Sequence, residues 1–138
     1  MERISRQSSI RPGQTTPNEL EVTILEHFTS KLPGLLAVVP RLHVLSREFT
    51  GVGSYTNFKP APVLEAPTRF LVLKRLIAIP GIKHGLVAIL FFKEGKIDFL
   101  EIVTAGDELW DGVFDGFSIS EDENSEYSGH IAAHTKSG

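Results

Sequence analysis

From Arg41 to Ile119 the chain alternates strand-like apolar runs with polar connections, none long enough to carry a helix between two runs. Parallel strands need a crossover of about a dozen residues or more, usually helical. The runs must therefore pair mostly antiparallel. The clearest pair is Leu86–Phe92 and Ile97–Val103, joined through Lys93-Glu94-Gly95-Lys96, which reads as a hairpin. Before it, Leu42–Phe49 and Ser54–Phe58 flank Gly51-Val52-Gly53, and Phe70–Ile79 ends at Pro80-Gly81. Lys59–Pro67 holds Pro60, Pro62 and Pro67 and reads as loop, and a last short strand is expected near Ile119.

One helix precedes the strands. Thr16-Pro17-Asn18-Glu19 offers a cap, a proline suited to the first helical position and a glutamate three residues after the cap. Leu20, Ile24, Phe28 and Leu32 then recur every fourth residue, with Leu25 beside them, until Pro33-Gly34 stops the pattern. Leu35–Val39 adds a further apolar turn. A helix with one apolar stripe and a sheet with one apolar face bury each other. The expected fold is α+β: one N-terminal helix packed on a curved, mostly antiparallel sheet of five or six strands.

Both ends differ from this middle. Residues 1–16 are polar and mildly basic, and residues 120–138 are acidic and serine-rich with few apolar anchors. Ordering such chain costs about 1–2 kcal/mol per residue and little apolar burial offsets it. The expected organisation is a mobile leader over 1–16, one domain over 17–119 and a flexible tail over 120–138. The leader lacks the apolar core of a secretory signal, so the cytoplasm is the expected compartment.

Composition narrows function mainly by exclusion. The 138 residues contain no Cys, which removes disulfides, thiol chemistry and Cys-ligated zinc. Fourteen basic residues against 17 acidic ones give a net charge of −3, without the basic excess of a nucleic-acid binder. No apolar run approaches the roughly 18 residues of a spanning helix, so no membrane partner is expected.

Thr104–Phe117, TAGDELWDGVFDGF, is the segment that most invites chemistry. Asp107, Glu108, Asp111 and Asp115 fall within nine residues, Glu101 precedes them, and aromatic-Asp-Gly occurs twice, at Trp110-Asp111-Gly112 and Phe114-Asp115-Gly116. Carboxylates on a glycine-containing loop suit a hard divalent cation, with Asp107, Asp111 and Asp115 as candidate ligands. The spacing is not that of an EF-hand, and Asp-Gly pairs also serve simply as turns. No cofactor other than such a cation is expected. Paired carboxylates can also do acid–base work if burial raises one pKa. Glu101, Asp107, Glu108 and His84, which sits in the loop before the hairpin, are the candidate catalytic groups. Ser46 and Ser54 lack a nucleophile motif, since no Gly follows Ser54 two residues on. His130 and His134, four residues apart, lack a third metal ligand.

Arg47, Tyr55, Trp110 and Asp111 are the candidate ligand-binding residues, from the glycine-rich 47–58 stretch and the acidic loop. Two functions follow from this inventory. The favoured one is a small binding protein whose Gly-, aromatic- and acid-rich loops contact a protein partner or small ligand, a description that a regulatory or toxin-neutralising protein fits. The alternative is a metal-dependent or acid–base, hydrolase-like enzyme using the 101–115 carboxylates. An exposed strand in Ser54–Phe58 or Phe70–Ile79 also offers an edge for a homodimer.

Overall fold

A computed structural model describes residues 15–120; the leader and tail expected at the ends lie, but for Thr15, Thr16 and Ser120, outside the described residues. Helix α1 runs Glu19–His27 and is followed by a 3₁₀ turn at Phe28–Ser30, a short helix α2 at Leu35–Val38 and a second 3₁₀ turn at Val39–Arg41. Seven strands follow: β1 Val44–Phe49, β2 Gly53–Phe58, β3 Phe70–Val72, β4 Ile77–Ile79, β5 Ile82–Lys93, β6 Lys96–Thr104 and β7 Ser118–Ile119. No helix of the described residues is long and apolar enough to cross a membrane.

The helix begins two residues later than the sequence pattern suggests. Asn18 is the N-cap: its side chain accepts from the Glu21 N–H at 2.9 Å, and the Glu21 carboxylate accepts from the Asn18 N–H at 2.8 Å. Thr16 and Glu19 fit the same motif on paper, but Glu21 also serves a buried partner described below, and that fixes the frame. The helix stops at His27, short of Leu32, where Thr29 and Ser30 hydroxyls bond back to the Glu26 and His27 carbonyls. Such hydroxyls compete with the helical ladder and favour a tighter last turn. Leu20, Ile24, Leu25 and Phe28 are all buried.

Every ladder of the sheet is antiparallel, in the order β1-β2-β6-β5-β4-β7, with β3 also on β5. The strand count exceeds the expected five or six because Phe70–Ile79 splits. Val72 faces Ile89 and Ile77 faces Leu86, so four residues, 73–76, oppose only two on β5. They loop out and divide one expected strand into β3 and β4, which share the edge of β5 that β6 leaves free. A further departure concerns the dimer edge. Strand β2 lies between β1 and β6, so Ser54–Phe58 has no free edge.

Strand β5 is apolar on both faces. Leu86, Ala88 and Leu90 join α1, α2, Leu100 and Ile102 in the main core. Val87 and Ile89 point the other way and, with Val103 and Ala105, form a second cluster to which no residue of α1 or α2 belongs. The helices therefore cover one face of the sheet. The other face is open to a further layer among the described residues.

Candidate functional site

The acidic segment is a loop pinned to the end of the sheet. As β6 ends, the Thr104 hydroxyl donates to the Glu108 carbonyl at 2.9 Å, and the Ala105 N–H reaches the Gly85 carbonyl at 2.9 Å. Asp107 turns the chain with φ 61°, a left-handed conformation that Asp tolerates better than most residues. The Glu108 carboxylate then accepts from the backbone N–H groups of Lys83 and His84, at 2.8 and 2.7 Å. Those two bonds, foremost, hold its carboxyl below the usual carboxylate range, with the nearby His84 and Lys83 charges acting in the same direction.

Aromatic side chains fix the rest of the loop. The Trp110 backbone N–H donates to the Gly51 carbonyl at 2.9 Å and its indole N–H to the Val113 carbonyl at 3.3 Å, and the indole meets Phe114 edge-on at 5.4 Å while Phe114 tilts against Phe49 at 6.0 Å. Asp111 accepts from the Val113 N–H at 3.0 Å, an Asx turn that leads through Gly112 at φ 79°. A β-carbon at Gly112 would stand 2.7 Å from the Phe49 ring, so glycine is required there twice over. Gly116 repeats the positive φ, at 82°, beside Pro80. The aromatic-Asp-Gly echo is thus a pair of left-handed turns, each with its aromatic packed inward.

What this arrangement presents to solvent is a mixture of acid and hydrocarbon. Pro80, Gly81 and Ile82 form one wall of a groove of about 310 Å³, and Leu109, Trp110 and Asp111 form the other. Leu109 is 82% exposed and Val113 52%, although the flanking Trp110 is buried. Asp107, Asp111 and Asp115 are exposed around them. His84 does not line the groove; it is exposed beside the loop, its ring against Gly106.

The remaining sequence candidates lie elsewhere. Glu101 is on the open face of the sheet, directly opposite Tyr55 in register, and takes a hydrogen bond from it. Burial, then the Glu101 charge and that bond, then Glu48, raise the Tyr55 phenol above its ordinary value. Arg47 points to the helical side and is 3% exposed. Its guanidinium grips fully buried Glu21 from Nε at 2.9 Å and Nη2 at 2.7 Å, and the Thr56 hydroxyl donates to the same carboxylate at 2.5 Å. Ser54 is buried with no partner for its hydroxyl, and Ser46 accepts from Asn57 at 3.0 Å. Among the described residues, no three His, Asp or Glu side chains gather as a metal-ion site.

The sequence reading missed two sets of residues. Leu109 and Val113 carry no sequence signal of their exposure, because exposed leucine and valine cannot be told from buried ones in a short loop. Phe70, Phe91 and Phe99 looked like core for the same reason. On the open face they form a cross-strand row with Tyr55, their ring centres separated by 5.7 Å (Tyr55–Phe99), 4.4 Å (Phe99–Phe91) and 5.9 Å (Phe91–Phe70). One signal was available: Gly85–Phe92 is apolar at every position but glycine, and a strand buried on one face alone has no need of that. Comparison with protein-family models, with curated proteins and with solved structures found no match.

Proposed function

We propose that this chain is a small binding protein that engages a protein partner through the 105–117 loop and its groove. The partner segment it suits carries an apolar side chain flanked by basic residues. The observation that carries this reading is Leu109, 82% exposed at the lip of a groove and set among the Asp107, Asp111 and Asp115 carboxylates. An exposed leucine in open water contributes nothing, whereas its burial in a partner is worth about 1.5–3 kcal/mol. Carboxylates around such a knob speed encounter with a basic partner and disfavour acidic ones. The loop is also held before any partner arrives, by Trp110 and Phe114 on Phe49 and by the Glu108 bonds to Lys83 and His84. Binding then pays little for ordering it.

A photo-crosslinking amino acid at position 109 tests the reading in the native host, with the same group at the exposed Leu36 of α2 as reference. The expected result is one adduct specific to position 109 whose crosslinked peptide is basic, and its loss when Asp107 and Asp111 are both changed to Asn. No adduct at 109, or the same adducts at 109 and 36, overturns it.

A further inference from the structure

We propose that the groove beside the 105–117 loop takes a lysine side chain of the partner, an inference that rests on the loop's role as a binding surface. Its lining is Pro80, Gly81, Ile82, Leu109, Trp110 and Asp111, around a space of about 310 Å³. Small-molecule sites run from about 300 to 1,000 Å³, so this groove stands at their lower end. It suits one long side chain rather than a nucleotide or an organic cofactor.

Polar chemistry decides which side chain. Among the lining side chains only the indole carries a donor and only Asp111 an acceptor. The indole N–H is already given to the Val113 carbonyl at 3.3 Å. The lining side chains therefore offer hydrocarbon and one carboxylate, with no cation beside it. Glu108 is outside the lining, and its carboxylate is engaged by the Lys83 and His84 N–H groups. Lys83, one residue past Ile82, is exposed and does not line the groove, so the chain's own nearest lysine does not fill it. An anionic side chain would meet Asp111 with like charge. An apolar one would use the walls and leave the carboxylate unmatched. A long cationic side chain uses both, its stem along hydrocarbon and its head at the charge.

The geometry at Asp111 separates lysine from arginine. Its Oδ1 accepts from the Val113 N–H at 3.0 Å, so one of its two oxygens is committed to the loop. Arginine gains its advantage by gripping both oxygens of a carboxylate, whereas an ammonium is a compact point charge that one oxygen can hold. Asp107 and Asp115 are exposed nearby without lining the groove, and their field draws a cation toward it.

Trp110 is the only tryptophan of the chain, so its indole N–H resonance reports on the groove directly. The test is a titration of the full chain with N-acetyl-lysine amide and its arginine, norleucine and glutamate counterparts at one ionic strength. The expected result is a saturable shift with the lysine probe, with Kd about 1–10 mM for a ligand of this size. Binding should be at least about threefold weaker for arginine, at least about fivefold weaker for norleucine, and absent for glutamate. Asp111→Asn keeps an oxygen for the Val113 N–H and should reduce lysine to the norleucine level. Arginine or norleucine binding as tightly as lysine, an Asp111→Asn chain that holds lysine undiminished, or no saturable shift overturns the proposal. Those outcomes leave the loop as an interface, which is decided separately by the crosslink at position 109. Lysine binding as expected without that crosslink would keep the groove and remove the protein partner.

Discussion

The two faces of strand β5 are equally apolar in sequence and unequal in circumstance. Leu86, Ala88 and Leu90 are sealed beneath Leu20, Ile24, Leu25 and Phe28 of the helical layer. Val87, Ile89 and Phe91, one residue out of step with them, belong to a smaller cluster that the helices never touch. The covered face also contains the one charged pair sealed inside the described protein, Glu21 with Arg47, whereas on the other face Glu101 stands between Tyr55 and Ile89 and Glu48 stands on the outer strand β1. Hydrocarbon under a second layer holds the fold together. On the other face Val87, Ile89, Val103 and Ala105 are buried without any helical residue among them, and charge follows the same division: paired inside, exposed or half-exposed outside.

The comparison is broken most forcefully at Arg47. Arg47→Met strands the Glu21 carboxylate in the core without its cation and is expected to cost about 3–5 kcal/mol in chemical denaturation. Glu21→Met together with Arg47→Met recovers most of that loss, because apolar side chains of similar volume replace a buried pair at little net cost. A double variant no more stable than the single one would show that the pair does more than satisfy itself.

Next come neighbours on one strand. Leu90→Ala empties a site with no solvent access and should cost about 2–5 kcal/mol. Phe91→Ala removes a larger side chain but a half-buried one, and about 1–2 kcal/mol is expected from the area it loses, in the monomer. Equal losses from the two substitutions would mean that the open face is as well covered as the helical one.

The smallest effect sits beyond both faces, where Glu108 holds the start of β5. Its carboxyl is depressed in the folded chain, so its contribution is complete above the ordinary carboxylate range and disappears as pH falls through the lowered value. Glu108→Gln should therefore be less stable than the native chain at neutral pH, and the two denaturation curves should converge on acidification. A gap that stays constant with pH would assign the effect to packing rather than charge.

Much of the fold was legible because it rests on local rules. Leu20, Ile24 and Phe28 marked the helix by spacing, and Lys93-Glu94-Gly95-Lys96 marked the central hairpin. The cap position was not, since Thr16-Glu19 and Asn18-Glu21 satisfy the same pattern and only the packing of Glu21 against Arg47 and Thr56 distinguishes them. The split of Phe70–Ile79 was hidden as well, because a two-residue excess exists only relative to the partner strand.

The candidate sites divide along the same line. Acid, glycine and aromatic residues between Asp107 and Asp115 announced a turn-rich loop, and local backbone chemistry was enough to make it one. Which of its members stay outside was decided by Phe49 and Gly51, which hold Trp110 and Phe114 and leave Leu109 in water. The five carboxylates that sequence grouped as one cluster are separated by the sheet: Glu101 goes with Tyr55, and Glu108 goes with the Lys83 and His84 backbone. Sequence by itself determined periodicity, turns and therefore an antiparallel sheet with a helix before it, since these depend on neighbours along the chain. Only the tertiary structure decided which apolar face is covered and which charges meet, because burial depends on residues far away in sequence.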